Sequence, residues 1–356
     1  MDTKYLKLIT TIDECGSLNK ASQQLHLTPS ALSHQLKNLE EQLGLAVFHR
    51  IDNQLYFTAA GKELRDKAKV ILGDLERLET RMTELKTTQA ARYIHGYSQR
   101  EAQRLIDQAN SVADYLHHDS IWAAGENVLE VGCGVGAQTV FIASQNPDTH
   151  FMAIDIASDS LEQAKEKIAE LGLENVTFQQ RDALQLSAKT DGVFDHVFVC
   201  YVLEHLPDPL RLLDQLKKVL RPGGSITVIE GDHGSTFFHP DHVAARKLIA
   251  AQVKLQAQRG GNANIGRQLF PLLQAANYHD IQVSPRQIYV DASKLELVDG
   301  FIKNTFTAMI QGIKEDVLNT KLATKAEWQT GIDGLLRTAE QDGTFSYTFF
   351  KAKAIG

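Results

Sequence analysis

The sequence predicts an α/β protein in two parts: a helical N-terminal module with a small hairpin, then a larger domain built on a mainly parallel sheet. Three observations predict it. Two short helical segments meet at a tight turn before residue 43. From Leu64 onward apolar residues recur every seven positions. After residue 125, short apolar runs alternate with helical segments, and the first run ends at once in a glycine-rich turn.

A chain of 356 residues fits two domains, and 43% hydrophobic with 23% charged residues places it among globular proteins. No apolar run approaches the ~20 residues of a membrane span, and Met1-Asp2-Thr3-Lys4 leads into a charged helix without a secretory h-region, so a cytoplasmic address is expected. Cys15, Cys133 and Cys200 form no C-x-x-C pair, which excludes a zinc ribbon and a disulfide framework. The net charge of −7 is unevenly spread: residues 1–90 hold twelve basic and twelve acidic side chains, and the remainder 25 basic against 32 acidic. The front is thus neutral and the back acidic, and the total charge alone says nothing against nucleic acid at the front.

The first helix should run from Thr3 to Glu14, with Tyr5, Leu8, Ile9 and Ile12 on one face and a stop at Cys15-Gly16. A second should follow Ser17. A third should begin at Thr28, an N-cap with Pro29 at N1, and would offer Ser30, Ser33, His34 and Lys37 to a major groove. Ala46 to Arg50 and Leu55 to Thr58, around a polar turn at Asp52-Asn53-Gln54, read as a hairpin wing. The same pattern could serve a helical protein-interaction module. Ala21-Ser22-Gln23-Gln24-Leu25, Ser30-Ala31-Leu32-Ser33-His34-Gln35-Leu36, Leu39-Glu40, Leu43-Gly44, Phe48, Arg50 and Phe57-Thr58-Ala59-Ala60-Gly61 resemble the winged helix-turn-helix of LysR-type transcriptional regulators. The resemblance implies a DNA-binding domain over residues 1–62 that contacts a double-stranded operator through Ser30, Ser33, His34, Lys37 and Arg50. His34 stands where many members have Arg, and the wing turn lacks a second basic residue, so a weak phosphate grip is expected.

Leu64, Ile71, Leu78 and Leu85, with Ala68, Leu75 and Met82 between them, form an a/d seam over residues 63–90. Such a stripe can pack on its own domain or pair two protomers. The resemblance implies the second, a dimerisation helix and a homodimer.

Beyond residue 90 the sequence departs from the effector domain usual for such regulators. The strand Glu126 to Val131 runs into Gly132-Cys133-Gly134-Val135-Gly136-Ala137 and then a helix, a unit whose backbone N–H groups approach a ligand closely. Gly132, Gly134 and Ala137 also satisfy a dinucleotide fingerprint, so the glycines alone leave NAD open. Glu130, the G-x-G-x-G run, Arg181-Asp182-Ala183, Phe194 to Cys200, Leu203-Glu204-His205-Leu206 and Leu220-Arg221-Pro222-Gly223-Gly224 together resemble class I SAM-dependent methyltransferases of the ubiquinone/menaquinone type. This implies a Rossmann-like, seven-stranded domain with helical insertions over residues 91–356, with S-adenosyl-L-methionine (SAM) as cofactor. It also implies the site residues: Gly132, Gly134 and Gly136 around the amino-acid portion of SAM, with Glu130 near its cationic end; Asp155, with Ile156 beside it, on the ribose; Asp182 and Ala183 on the adenine; and Cys200 at the strand edge. Tyr93 and Tyr97 would close over the sulfonium by cation–π attraction.

For the methyl acceptor, a small molecule, candidates lie after the fifth strand of this sheet, in Glu230-Gly231-Asp232-His233-Gly234 and Phe237 to His242; His233 is the first candidate base and His205 the second. The spacing of His233, His239 and His242 fits no metal pattern. Phe301, Phe306 and Met309 could line the pocket or simply pack in the core. The implied function is a DNA-binding regulator fused to a methyltransferase. A non-catalytic SAM sensor and a plain methyltransferase with a vestigial front end are the alternatives.

Overall fold

The computed structural model describes residues 3–25, 27–51, 54–90 and 99–356. The chain divides into two units, Met1–Gln89 and Ala90–Gly356.

In the first unit, α1 (Thr3–Cys15) buries Tyr5, Leu8, Ile9 and Ile12 and stops at Gly16. Helix α2 (Leu18–Gln24) starts on Ser17, whose side chain accepts from the Lys20 N–H at 3.3 Å. Helix α3 (Pro29–Leu43) starts on Thr28, which accepts from the Ala31 N–H at 3.2 Å, and ends at Gly44 in the left-handed region. Leu32, Leu36 and Leu39 turn inward onto α1 and the hairpin β1 (Phe48–Ile51) and β2 (Gln54–Phe57). Glu40 fixes the entry to the hairpin, because its Oε1 accepts from both the Val47 and Phe48 N–H groups, at 2.7 and 3.1 Å. Helix α4 (Ala59–Ala90) follows. Its seam begins as intramolecular packing: Leu64 lies on the N-terminal core and Ala68 is buried, whereas Ile71 is 45% exposed. The side chains of Leu78, Met82 and Leu85 lie outside the described residues.

The second unit carries the seven-stranded sheet the sequence leads one to expect. Its strands are β3 (Asn127–Val131), β4 (His150–Asp155), β5 (Val176–Gln180), β6 (Phe194–Cys200), β7 (Leu220–His239), β8 (His279–Asp291) and β9 (Thr344–Ile355), in the order β5-β4-β3-β6-β7-β9-β8. The first five are parallel, and β9 runs antiparallel between β7 and β8. Helices α5 (Gln99–His117), α6 (Thr139–Gln145) and α7 (Ser158–Glu170) pack around the first half of the sheet. Lys351 of β9 ties down the end of α5: its buried ammonium donates to the Leu116 carbonyl, Asp119 and Ser120 at 2.6–2.8 Å. Strand order reverses on either side of β3, so the crevice beyond the carboxyl ends of β3, β4 and β6 is the topological switch point where ligands of such sheets bind.

Two expectations need correction. Strand β7 does not stop before His233 but continues to His239, because long β9 supplies partners on both sides of a register shift between Asp232 and Phe237. The segment Leu295 to Ile313, whose apolar residues recur at helical spacing and predict one helix, is instead a short α-turn, a π-helix over Val298–Thr307 and a further turn, with the Thr305 hydroxyl donating to the Gly300 carbonyl at 2.7 Å. Phe301 and Phe306 of that segment are core residues, stacked edge-on or tilted against Phe345 and Tyr347, and Met309 is buried beside them.

Candidate functional site

The turn after β3 is held open by glycine. Gly132, Gly134 and Gly136 all have left-handed backbones, with φ of 72°, 53° and 74°. Their surroundings differ. A Cβ on Gly132 would meet Val202 at 2.5 Å and one on Gly136 would meet Ala164 at 3.0 Å, but one on Gly134 would project into open space. Gly132 and Gly136 therefore serve close packing, and Gly134 leaves a cradle.

The next strand supplies the carboxylate. Asp155 ends β4, and its Oδ2 accepts from the Gly134 N–H at 2.8 Å while Oδ1 accepts from the Ala157 N–H at 2.9 Å. Each oxygen keeps a lone pair for a ligand hydroxyl. Ile156, immediately after, is 58% exposed and offers an apolar shelf. Register carries the edge onward: Asp155 pairs with Gln180, and two residues later Asp182 caps the short turn at Ala183–Gln185 by accepting from the Leu184 N–H at 2.9 Å.

Beneath the cradle, Glu130 is buried and its Oε2 has no hydrogen-bond partner among the described residues. Burial pushes its carboxyl up to about 7, with the Thr139 hydroxyl pulling the other way and the charge of Asp155 adding to the rise. On the other side of β3, Cys200 packs in the core and burial drives its thiol well above the ordinary range, so only its backbone faces the crevice edge chemically. An orphaned buried carboxylate oxygen, an unfilled glycine cradle and a strand-ending Asp make a donor set that fits SAM: an acid for its ammonium, N–H groups for its carboxylate and Asp155 for its ribose. Tyr93 and Tyr97 lie outside the described residues.

Further along the edge, His233 is buried and its Nδ1 shares a 2.6 Å hydrogen bond with the Tyr347 hydroxyl. Burial lowers the affinity of its imidazole for a proton, so the ring is neutral near pH 7. His233 also lines a cavity of about 300 Å³ with Thr236, Arg246, Ile249 and Val253. His205, half-buried, stands 3.5 Å from the Glu204 carboxylate, and burial lowers its proton affinity as well. His242 instead caps the helix Val243–Gln258, and no group of three or more potential metal ligands occurs among the described residues. Sequence reasoning named Glu230 within the segment after the fifth strand but gave it no role, although it ends the core part of β7 as Asp155 ends β4. It passed over the buried Glu101–Arg104 pair of α5, bonded at 2.6 and 2.8 Å.

In the first unit, Ser30, His34 and Lys37 are exposed on one face of α3, with Ser33 half-buried beside a shallow cleft toward Phe48 and Leu55. Lys37 is held loosely by Glu41 at 3.6 Å. Arg50 lies on β1, and its side chain is outside the described residues.

Comparison with known proteins agrees with this division. Residues 3–62 match the bacterial regulatory helix-turn-helix protein family, lysR type, and residues 123–281 match a methyltransferase domain. An uncharacterized 37.1 kDa protein in a transposon of Streptomyces fradiae is 28% identical over 304 residues, 83% of this chain and 84% of that one. The demethylmenaquinone methyltransferase of Lactococcus lactis is 32% identical over 138 residues, 36% of this chain, which thus spans about half (54%) of that relative's length. The YcgJ protein of Bacillus subtilis, a solved structure, aligns with 69% of this chain and 97% of its own at 17% identity and a TM-score of 0.42. No helix among the described residues is long and apolar enough to cross a membrane. One chain thus carries a segment that matches a LysR-family helix-turn-helix domain, residues 3–62, and another that matches a methyltransferase domain, residues 123–281.

Proposed function

We propose that the protein is a cytoplasmic, homodimeric DNA-binding regulator that also transfers a methyl group from SAM to a small-molecule acceptor. The observation that supports it best is the edge where Asp155 grips the Gly134 N–H beside an open cradle and the orphaned Glu130 oxygen. When bound, SAM supplies an electrophilic methyl group on a sulfonium. Asp155 would accept from the two ribose hydroxyls, Glu130 from the ammonium, and Asp182 and the Ala183 N–H would meet the adenine. Tyr93 and Tyr97 would cover the sulfonium. His233, neutral and oriented by Tyr347, would take a proton from the acceptor, with His205 the second candidate.

At the other end, Ser30, Ser33, His34, Lys37 and Arg50 would meet an operator, with one recognition helix per half-site of a two-fold dimer. The exposure of Ile71 on α4 supports a second copy on that seam. Binding linkage requires that a ligand altering DNA affinity has its own affinity altered by the same factor, typically a coupling of about 1 to 3 kcal/mol. Operator titrations with and without SAM, paired with SAM calorimetry with and without operator, should give matching factors above about fivefold. Factors of one in both directions would leave a plain methyltransferase, and absent methyl transfer with intact coupling would leave a sensor.

A further inference from the structure

Glu230 is fully buried where β7 meets the carboxyl edge. Its Oε1 accepts from the Val202 and Leu203 N–H groups at 3.0 and 2.7 Å, and the Glu204 N–H also favours the ionised carboxyl, which shapes the turn after β6; its Oε2 makes no hydrogen bond of ordinary length among the described residues. Next to it in register, since the Tyr201 N–H donates to the Ile229 carbonyl, stands Tyr201. This tyrosine has φ of 59°, an uncommon conformation for a bulky residue, and its hydroxyl is also buried without a partner. Two unsatisfied polar atoms on adjacent strand ends are costly to bury, and their joint presence points to a ligand that completes both.

The charges around them say which ligand. Glu204 acts electrostatically on both Glu230 and Tyr201, and burial beside it holds the Glu230 carboxyl well above its ordinary range. The neighbouring arginines are matched by carboxylates: Arg104 by Glu101 and Arg267 by the buried Asp232, the latter in a two-pronged pair at 2.7–3.0 Å. His205 and His233 are held neutral. Around these two atoms, then, the arginines described are taken up by acids. An oxyanion or carbanion acceptor would find no positive partner in them. Methylation of a neutral amine moves positive charge from sulfur onto nitrogen, and oxygen atoms aimed at that nitrogen stabilise the developing charge.

We propose, resting on the methyltransferase reading above, that the acceptor is an amine whose nitrogen is held by Glu230 Oε2 and the Tyr201 hydroxyl. The nitrogen lone pair forms the new N–C bond as the S–C bond breaks, sulfur leaves as a neutral thioether, and the proton on the resulting ammonium passes to neutral His233, the base named above, or to water.

Sinefungin, which carries an ammonium where SAM carries its methyl group, probes this pocket without knowledge of the acceptor. Calorimetry on the full chain should show sinefungin binding at least about tenfold tighter than S-adenosylhomocysteine. Glu230→Gln, which keeps an acceptor for the two turn N–H groups, should abolish that preference while S-adenosylhomocysteine binds within about twofold of the parent. Tyr201→Phe should reduce the preference several-fold. Equal binding of the two ligands, or a preference that survives Glu230→Gln, would overturn the amine assignment. Failure of S-adenosylhomocysteine to bind the unaltered chain would instead overturn the methyltransferase reading. Should Glu230→Gln melt at a lower temperature than the parent, Tyr201→Phe carries the test, since it deletes only the orphaned hydroxyl.

Discussion

On α3, Ser30, His34 and Lys37 stand in water, and Lys37 meets an exposed glutamate, Glu41, 3.6 Å away. At the carboxyl edge of the large sheet the arrangement is reversed: Glu130 and Glu230 are buried with one oxygen of each left unsatisfied, and Asp155 is drawn onto two backbone N–H groups. On the proposed function, the difference teaches how each surface would bind. A polyanion would be met by side chains that cost little to display, each contributing modestly and screened by salt. A small cationic ligand would be met by groups that are unfavourable until it arrives, so each would carry a large share of the binding.

If that contrast holds, Asp155→Ala should have the largest effect. It removes two charge-assisted hydrogen bonds, about 1.5 to 3 kcal/mol each, so calorimetry should show SAM affinity lowered by a hundredfold or more. An unchanged affinity would mean that the ribose lies elsewhere.

The second effect is a pH dependence. Glu130 has its carboxyl raised to about 7 in the fold against 4.5 ordinarily, so the folded chain keeps a proton that the unfolded chain releases. The favourable contribution is therefore fully present below pH 4.5 and is lost as pH rises toward 7, by roughly 3 kcal/mol in total. Denaturant titrations of the ligand-free protein should show this slope, and Glu130→Gln should flatten it. SAM affinity should rise with pH over the same window, because the ionised acid suits a cation.

The glycines separate packing from binding. Gly132→Ala forces a Cβ against Val202 at 2.5 Å and should lower both melting temperature and SAM affinity. Gly134→Ala has space for its Cβ and should cost only the left-handed strain, about 1 to 2 kcal/mol, yet lose SAM binding because the methyl group fills the cradle. Parallel losses in the two variants would show that no ligand occupies that space.

The smallest effect is expected on α3. Lys37→Ala should weaken operator binding by about 1 kcal/mol and reduce the slope of log affinity against log salt by about one in a gel-shift titration. A tenfold or greater loss, independent of salt, would make Lys37 a base-reading residue.

Much of both domains was legible because it depends on local chemistry. Thr28-Pro29 and Gly44 bracket α3 through capping, which needs no tertiary partner. The G-x-G-x-G turn and the acid ending the next strand follow from what a backbone needs in order to approach a ligand. The course of β7 past His233 was not legible, because it exists only through pairing with β9 more than a hundred residues later. The π-helix escaped for a similar reason, since its apolar spacing resembles that of an ordinary helix and its Thr305–Gly300 bond appears only in the fold.

By itself, then, the sequence determined the capped helices, most of the strands and the glycine turn after β3, since caps, periodicity and glycines act within a few residues of themselves. Only the tertiary structure decided which carboxylates stay paired and which do not. Glu101 and Asp232 look no different in sequence from Glu130 and Glu230, yet the first two meet arginines and the last two keep an empty oxygen. That distinction rests on desolvation and on partners brought from distant segments, and neither is written in the local order of residues.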